Sequence, residues 1–419
     1  MRIPSSYVVI VALAAITTLL IPATADQVFS LGYVSLASGC ISLVLMAAAI
    51  LLATRWRWIE APLGGLDQVY NSHKWLAIWA LAFASIHLVY KAKLPDAPNI
   101  VIWQVEPFWT RSLRGYAFLG LMLTIILALN RKISYDRWRW MHRLSGPIFV
   151  VVALHWLTIK SPISPSSPLG LWLWFWVLIG TFGFSYKWLL YPLMGKRHRY
   201  RVETAERDER TLSLVLAPIN TPLQFKAGNF AFLSFVVSGL REPHPFTIAT
   251  APDAQGRLRF LIRNAGDFTA ELNWKAKPGM EVDVYGPYGD FVRDTSRCGP
   301  ELWIAAGVGI APFLSWLHSL DADTVHRAHL LVLRGNERFP EASALRALAG
   351  EKGVKLDLLE AGSSRHAKSE RLASLIANAA DDTEVYFCGP AALRDKLVKA
   401  ITQRGLPMAQ FHFELFDFR

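Results

Sequence analysis

The first half of the chain contains a series of apolar stretches that reach or approach the length of a membrane-spanning helix. A helix needs about 20 apolar residues to cross the hydrocarbon core of a bilayer. Hydrophobic residues make up 53% of the whole chain, and they concentrate in this half. The candidate spans are Tyr7–Ile21, Leu31–Thr54, Val69–Tyr90, Tyr116–Asn130, Met141–Ile159 and Leu169–Leu193. The pattern predicts a six-helix transmembrane bundle followed by a water-soluble region.

The first stretch has a second interpretation as a signal peptide. Its apolar core is followed by Ala23-Thr24-Ala25, small residues of the kind found at a cleavage site. On either interpretation the second span enters from outside. The orientation expected for the remaining spans is therefore the same.

Basic residues cluster where particular apolar stretches end, and they predict the topology. They are Arg55 and Arg57 after the second span, Arg131, Lys132, Arg137, Arg139 and Arg143 between the fourth and fifth, and Lys196, Arg197, Arg199 and Arg201 after the sixth. Loops rich in Lys and Arg stay on the cytoplasmic side. We therefore expect a protein of the bacterial inner membrane, with both termini and the soluble region in the cytoplasm.

Charge and cysteine content exclude several classes of function. The net charge is +11, but no nucleic-acid-binding motif accompanies it, so no nucleic acid partner is expected. The three cysteines, Cys40, Cys298 and Cys388, form no CxxC motif. Neither an iron–sulfur cluster nor a structural zinc site is therefore predicted.

Two of the predicted spans carry two histidines each: His73 and His87 in the third, His142 and His155 in the fifth. Ionisable side chains are costly inside a bilayer and indicate a functional site there. Neutral imidazole is a common axial ligand of haem iron. Because the two spans run in the same direction, His73 and His142 lie near the inner face, and His87 and His155 lie toward the outer one. The sequence thus predicts two haems, one above the other.

The spacing of these histidines differs between the two spans. The fourteen-residue step from His73 to His87 rises roughly 21 Å and returns to nearly the same helical face. The thirteen-residue step from His142 to His155 is out of phase on an ideal helix, and a bend at Pro147 is one way to restore the face. Two alternatives stay open: hydrogen-bonded packing of the histidines, and a histidine-lined proton channel or sensor.

The second half predicts two further domains. Short β-like runs separated by turns indicate an antiparallel barrel, and they are Arg201–Thr204, Leu212–Leu216, Phe230–Phe235, Leu258–Arg263 and Glu281–Tyr285. From Glu301 onward, strands alternate with helices, which is typical of a doubly wound parallel sheet. The expected division is 1–195 for the membrane domain, 196–297 for the barrel and 298–419 for the parallel-sheet domain.

The barrel region contains two segments suited to a flavin dinucleotide. In His244-Pro245-Phe246-Thr247 an aromatic ring can stack on the flavin while a hydroxyl meets a ring nitrogen. Arg263 and Gly266-Asp267-Phe268-Thr269 precede a predicted helix, Ala270–Lys275, whose N-terminus suits a pyrophosphate. Taken singly, the first segment also fits a strand edge and the second an ordinary capped helix. Together they predict bound FAD.

Two glycine-containing segments predict a nicotinamide nucleotide site. Gly307-Val308-Gly309-Ile310-Ala311-Pro312 joins an apolar strand to a helix, and its glycines allow close approach of a nucleotide. Cys388-Gly389-Pro390 follows the strand Glu384–Phe387, at the strand end that lines the cleft of such sheets. For Cys388 itself, buried packing is the alternative.

Two further positions bear on the choice of nucleotide and on access to the flavin. Arg334 follows the strand His329–Leu333 and suits a 2′-phosphate, which favours NADPH over NADH; a surface helix cap is the alternative. The last nine residues, Phe411–Arg419, place aromatic side chains on the final strand. One of them, Phe418, could cover the flavin ring, whereas Phe416 equally fits core packing.

These residues together resemble the ferric reductase and NADPH oxidase superfamily over nearly the whole chain. The resemblance implies haem ligation by His73 with His142 and by His87 with His155. It also implies FAD contacts from the two barrel segments and nicotinamide contacts from Gly307–Pro312 and Cys388–Pro390. A C-terminal aromatic, here Phe418, would lie against the isoalloxazine ring.

The chain departs from the eukaryotic oxidases of that superfamily at two places. Lys91 stands where they have a further histidine. They also have an arginine in the second helix, whereas the second span of this chain, Leu31–Thr54, contains none. Lys91 near the outer haem could hold an anionic ferric chelate or stabilise superoxide. A lysine that extends toward the membrane interface is the alternative.

The predicted reaction passes electrons from cytoplasmic NAD(P)H through FAD and two b-type haems to an acceptor across the membrane. A ferric chelate and molecular oxygen are the expected small-molecule acceptors. A periplasmic protein or a quinone is the alternative, and the sequence indicates no specific protein partner. Phe418, Cys388 and Lys91 are the predicted catalytic residues.

Overall fold

The computed structural model describes residues 5–22, 24–63, 65–90, 92, 94, 98–130, 132–133, 135–190, 197–208, 210–296, 299–321, 327–335, 340–360, 362 and 364–414. The chain forms two compact units, Met1–Gly195 and Lys196–Arg419.

The first unit is helical throughout its described elements. Its helices are α1 (Ser5–Leu19), α2 (Ala25–Val28), α3 (Leu31–Leu52), α4 (Arg57–Leu63), α5 (Leu66–Val89), α6 (Pro107–Leu129), α7 (Tyr135–His142), α8 (Ser145–Thr158) and α9 (Pro168–Ser185). A π-helical turn, Tyr186–Leu190, continues α9.

Three helical segments among the described residues are long and apolar enough to cross a membrane: Leu31–Leu52, Pro107–Leu129 and Pro168–Leu190. The first predicted span corresponds to the shorter helix α1, and the third to α5, which is 24 residues long but contains Lys74 beside His73. The count of six spans therefore stays a prediction.

Helix α3 lies at the centre of this unit. Within its apolar window 78% of the residues are buried, against 22% for α6. It packs against α5 and α9, and small side chains such as Ser35, Gly39 and Ser42 allow close approach of its neighbours. The hydroxyl of Ser42 donates to the carbonyl oxygen of Ala80 on α5 at 2.8 Å. Since neighbours surround α3, its polar atoms can contact functional side chains on α5.

The fifth predicted span is not one continuous helix. Helix α7 ends at His142, a turn occupies Arg143 and Leu144, and α8 begins at Ser145. Pro147 falls in the first turn of α8, where a backbone N–H has no helical partner to lose. A bend at Pro147 is therefore not what restores the helical face of the two histidines, because the interruption precedes the proline.

The second unit begins with an antiparallel six-stranded sheet in the order β4-β3-β6-β1-β2-β5. Its strands are β1 (Arg197–Arg207), β2 (Thr211–Pro218), β3 (Phe230–Phe235), β4 (His244–Thr247), β5 (Leu258–Arg263) and β6 (Glu281–Tyr288). An antiparallel bridge between Ile248 and Phe260 joins the two edges, so that the sheet is nearly closed into a barrel. Helix α10 (Asp267–Lys275) contributes Leu272 to its apolar core.

The remainder is a parallel five-stranded sheet in the order β11-β10-β7-β8-β9. The strands are β7 (Glu301–Ala306), β8 (Ala328–Leu333), β9 (Lys355–Leu359), β10 (Glu384–Cys388) and β11 (Phe411–Glu414). The helices are α11 (Ala311–Ser319), α12 (Ala342–Glu351), α13 (Arg365–Ala377) and α14 (Ala391–Arg404).

Both faces of the parallel sheet are buried. Side chains from α11 and α12 share one apolar core with the sheet, and side chains from α13 and α14 share the other. Successive residues of β7 alternate between them: Trp303 belongs to the first core and Ile304 to the second. This arrangement leaves the carboxyl ends of the central strands β7 and β10 side by side.

Candidate functional site

The structure brings the four histidines together as two pairs. The ring centroids of His73 and His142 are 5.8 Å apart, with an angle of 80° between the rings. Those of His87 and His155 are 6.5 Å apart at 65°. A metal held between two imidazole nitrogens at about 2 Å each separates the ring centroids by roughly 6 Å. Each pair is therefore spaced to hold one metal ion.

On α5, both histidines direct Nδ1 toward a backbone carbonyl of α3. Nδ1 of His73 lies 2.8 Å from the carbonyl oxygen of Ala49, and Nδ1 of His87 lies 2.8 Å from that of Ser35. A carbonyl oxygen only accepts, so Nδ1 carries the proton and donates in both cases. Nε2 then keeps a free lone pair, which is the form that ligates a metal.

The partner histidines have different surroundings. Nδ1 of His142 and Nδ1 of His155 are buried and have no hydrogen-bond partner among the described residues. The ring of His142 stacks on that of Trp138, with centroids 5.2 Å apart and an angle of 9°. Helix packing therefore positions these two rings, without a protein hydrogen bond at Nδ1.

The interruption between α7 and α8 allows His142 and His155 to approach the same helix. The two residues belong to separate helices, so the phase of one ideal helix does not apply to them. His73 and His87 share the continuous helix α5. The uneven spacing of the sequence is consequently compatible with two matched pairs.

In the barrel, the two predicted flavin segments meet. Strand β4 pairs with β3, and the ring of His244 stacks on the ring of Phe268, with centroids 3.7 Å apart. The Oγ1 atom of Thr247 is buried without a hydrogen-bond partner among the described residues. A buried hydroxyl without a partner is costly. It therefore fits a ligand that supplies one, such as a flavin ring nitrogen.

The second segment forms the N-terminus of α10, and its residues cap the helix. The hydroxyl of Thr269 accepts from the amides of Ala265 at 2.9 Å and Gly266 at 3.0 Å. These two amides thus have a local partner within the protein. Arg263 at the end of β5 and Asp267 are exposed.

The two glycine-containing segments also meet, at the carboxyl ends of β7 and β10. Gly307–Ile310 form a single 3₁₀ turn, and Pro312 lies in the first turn of α11. A Cβ atom on Gly309 would lie 2.2 Å from the carbonyl oxygen of Cys388, and one on Gly389 would lie 2.9 Å from the Cβ of Ala306. The segments are therefore in backbone contact, and glycine is required for it.

The side chain of Cys388 is fully buried in the core between the sheet and α11. Burial raises the pKa of this thiol well above its usual range, and the carboxylate of Glu414 raises it further. Cys388 thus packs inside the core, whereas Gly389 is partly exposed and Pro390 is exposed.

Arg334 lies directly after β8, where its side chain is 12% exposed. Its Nε lies 3.8 Å from Oε2 of Glu360, and its carbonyl oxygen accepts from Nζ of Lys368 at 2.8 Å. The guanidinium is therefore paired within the protein. Two other predicted site residues, Lys91 and Phe418, lie outside the described residues.

Sequence reasoning missed the contribution of α3 to the histidine site. Ser35 and Ala49 act through backbone carbonyls, which every residue has, so no residue type indicates them. Their separation of fourteen residues equals that of His73 and His87, and this coincidence is the one available signal. Gly39 also contacts His87, since a Cβ atom there would lie 2.7 Å from Nδ1.

Comparison with known proteins gives matches in both units. Residues 38–153 match the family model "Ferric reductase like transmembrane component", and residues 200–292 match "Oxidoreductase FAD-binding domain". Ferredoxin–NADP reductase B of Sorangium cellulosum is 30% identical over 216 residues, which cover 46% of this chain and 86% of that protein.

Two further matches each cover about half of the chain. The reductase component of propane 2-monooxygenase from Mycolicibacterium goodii is 28% identical over 245 residues. The match covers 51% of this chain and 65% of that protein, so less than two thirds of the relative is spanned. The flavohaem-like FAD/NAD-binding domain of nitric oxide dioxygenase from Vibrio cholerae has a TM-score of 0.44 and 20% identity, over 52% of this chain and 97% of that one.

The fold and these matches define an electron-transfer oxidoreductase, with an integral membrane helical part and an FAD- and NAD(P)-binding reductase module. The chain belongs to the superfamily in which a ferric-reductase-like transmembrane component is fused to a ferredoxin-reductase-type module.

Proposed function

We propose that this protein transfers electrons from cytoplasmic NAD(P)H, through FAD and two b-type haems, to an acceptor on the opposite side of the membrane. The observation that carries the proposal is that four histidines form two facing pairs, with ring centroids 5.8 Å and 6.5 Å apart. One histidine of each pair belongs to the continuous helix α5. When bound, FAD converts two-electron hydride transfer into single-electron transfer, and haem iron carries electrons one at a time.

Each haem would be held between α5 and one of the two shorter helices. His73 with His142 would bind the inner haem, and His87 with His155 the outer one. The two levels lie roughly 21 Å apart along α5, as the fourteen-residue step requires. The carbonyls of Ala49 and Ser35 support this assignment, because they leave Nε2 of the α5 histidines available to iron.

The barrel residues would hold FAD. We assign the aromatic stacking to the His244–Thr247 segment and a hydrogen bond to a flavin ring nitrogen to Thr247. The buried Oγ1 of Thr247, which has no partner among the described residues, supports this role. Arg263 and the segment Gly266–Thr269 would contact the pyrophosphate, with the exposed Arg263 supplying positive charge.

The parallel-sheet residues would bind the nicotinamide nucleotide. Two segments meet at the carboxyl ends of the central strands β7 and β10: Gly307–Pro312 and the backbone of Cys388–Pro390. Their contact supports a shared nucleotide-binding surface. Arg334 would read a 2′-phosphate after exchanging its contact with Glu360. Phe418 would cover the flavin, and Lys91 would attract an anionic acceptor or stabilise superoxide.

The proposal includes an arrangement in the membrane. Residues 1–195 would form the di-haem domain of six spans, 196–297 the FAD domain and 298–419 the NAD(P) domain. The basic residues that follow the second, fourth and sixth spans support a cytoplasmic position for the soluble domains. The membrane would be the bacterial inner membrane.

The first experiment measures haem in the purified, cofactor-replete protein. We expect two b-type haems per chain by the pyridine haemochrome assay, and reduction of both by NADPH under anaerobic conditions. Protein that contains flavin but no haem would overturn the proposal and would favour a histidine-lined channel or sensor.

The second experiment identifies the acceptor. Cytochrome c reduction that superoxide dismutase abolishes indicates oxygen, whereas reduction of ferric chelates under anaerobic conditions indicates iron. If the protein reduces a quinone or a periplasmic protein faster than it reduces oxygen or ferric chelates, the proposed class of acceptor is wrong.

A further inference from the structure

We infer that Ser35 is a positioning residue for the outer haem ligand, and that its hydroxyl makes the outer haem site different from the inner one. The inference rests on the proposed function, since it concerns the haem held by His87. Its basis is a group of four polar contacts, each of 3.3 Å or less, between one residue of α3 and the end of α5.

Ser35 is fully buried and contacts His87 in three ways. Its carbonyl oxygen accepts from Nδ1 of His87 at 2.8 Å, and its hydroxyl oxygen lies 3.3 Å from the same Nδ1. The hydroxyl also lies 3.2 Å from the carbonyl oxygen of His87 and 2.8 Å from that of Tyr90. Because the hydroxyl has one proton, it donates to the nearer carbonyl, that of Tyr90, and accepts from Nδ1.

These contacts lie at the C-terminal end of α5. The helix ends at Val89, and the carbonyls of its last turn have no partner within the helix. The hydroxyl of Ser35 supplies a donor to the chain at Tyr90, one turn beyond the imidazole it also contacts. Loss of this donor would let the last turn of α5 open, and His87 lies in that turn.

The inner site lacks the corresponding hydroxyl. His73 donates to the carbonyl oxygen of Ala49, which stands fourteen residues after Ser35 on the same helix. Alanine has no side-chain acceptor. Among the residues that the structure describes, Nδ1 of His73 therefore has one oxygen partner, whereas Nδ1 of His87 has two. An imidazole whose Nδ1–H is held by more acceptors is a stronger donor to metal through Nε2. His87 would therefore hold the outer haem iron with its Nδ1–H bound by two oxygen atoms, and His73 would hold the inner one with its Nδ1–H bound by one.

The chain offers a closely matched control in Ser42. This residue lies on α3 midway between Ser35 and Ala49, and its hydroxyl donates to the carbonyl oxygen of Ala80, midway between His73 and His87. Ser42→Ala removes a buried hydrogen bond between the same two helices. It removes none of the bonds to a histidine, so it reports the effect of α3–α5 packing alone.

The experiment compares Ser35→Ala and Ser42→Ala in the full-length, haem-loaded protein. We expect Ser35→Ala to raise the midpoint potential of the outer haem and to weaken its binding by about tenfold to a hundredfold, the usual effect of losing such an outer contact. The inner haem should keep its wild-type potential. Ser42→Ala should leave both potentials and the haem content unchanged. His87→Ala identifies which transition belongs to the outer haem.

Three outcomes separate the possibilities. A Ser35→Ala protein that titrates like wild type would overturn the inference and leave the proposed function intact. Equal shifts in Ser35→Ala and Ser42→Ala would also overturn it, because packing would then explain both. Wild-type protein without haem would overturn the proposed function and this inference with it. If Ser35→Ala fails to fold, Ser35→Cys serves in its place, because it keeps a side chain of similar size and replaces the oxygen by sulfur, a weak hydrogen-bond partner. The inference then requires that Ser35→Cys raises the midpoint potential of the outer haem.

Discussion

A Cβ atom placed on Gly39 would lie 2.7 Å from Nδ1 of His87, closer than Cβ atoms approach non-bonded atoms in real proteins. Gly39 on α3 therefore makes room for the imidazole ring on α5. The contact joins the most buried helix of the membrane unit to a proposed haem ligand.

Gly39→Ala should consequently displace His87 and remove the outer haem. Overpacking of this kind costs about 1–3 kcal/mol, which corresponds to roughly fivefold to more than a hundredfold weaker haem binding. Haem per chain, measured after gel filtration, should fall from two toward one. Gly115→Ala is the control, because a Cβ atom at that helical position meets nothing within 4 Å. Equal haem content in both variants would contradict the assigned contact.

His87→Ala should separate the outer haem from the flavin chemistry. The variant loses an axial ligand, so we expect one haem per chain in place of two, while FAD reduction by NADPH keeps its rate. Stopped-flow absorbance under anaerobic conditions measures both. If flavin reduction is lost together with the haem, the modular electron path is wrong.

Thr247→Val should weaken FAD binding without a cost to the FAD-free protein. The buried Oγ1 has no partner among the described residues, so its removal breaks no hydrogen bond in the structure. Loss of one hydrogen bond to the flavin, about 1 kcal/mol, should raise the Kd for FAD roughly fivefold to tenfold. Titration of apoprotein with FAD gives the Kd, and thermal unfolding of the same apoprotein should give an unchanged or higher Tm. A lower apoprotein Tm would show that the hydroxyl has a structural role instead.

Gly309→Ala should disrupt the nucleotide site. The added Cβ would lie 2.2 Å from the carbonyl oxygen of Cys388, so the backbone of one segment must move. We expect the KM for NADPH to rise by about fivefold or more, from a strain of about 1–3 kcal/mol. Gly350→Ala on α12, where a Cβ atom meets nothing within 4 Å, should leave KM unchanged. An unaltered KM in Gly309→Ala would place the nucleotide elsewhere.

Cys388 should react slowly with alkylating reagents in the folded protein. Burial and the charge of Glu414 raise the pKa of its thiol, so the thiol stays protonated well above pH 8. Peptide mass spectrometry after iodoacetamide treatment at pH 8 should find Cys388 modified only after denaturation. Because the folded-state pKa is the higher one, its contribution to stability is present below about pH 8.5 and declines as the pH rises further. Fast modification of native protein would instead support a reactive, catalytic thiol.

Much of the second unit, Lys196–Arg419, could be predicted from residue patterns. Strands β3 and β5 have the predicted bounds, because apolar and β-branched runs ended by turn residues are a local property. Helices α13 and α14 were not predicted. Their sequences are mostly polar, and only contact with the sheet shows which of their side chains are buried.

The sequence alone determined the apolar membrane-length helices, the four histidines within them and the glycine and aromatic segments of the reductase module. These features follow from side-chain type and spacing, which are local properties of the amino-acid sequence. Only the tertiary structure decided three features. The fifth predicted span is interrupted at Arg143 and Leu144, and Arg334 lies beside Glu360. The carbonyl oxygens of Ser35 and Ala49 accept hydrogen bonds from Nδ1 of the α5 histidines. The physical reason is that such contacts join distant segments through groups common to many residues, so packing selects among them and local pattern does not.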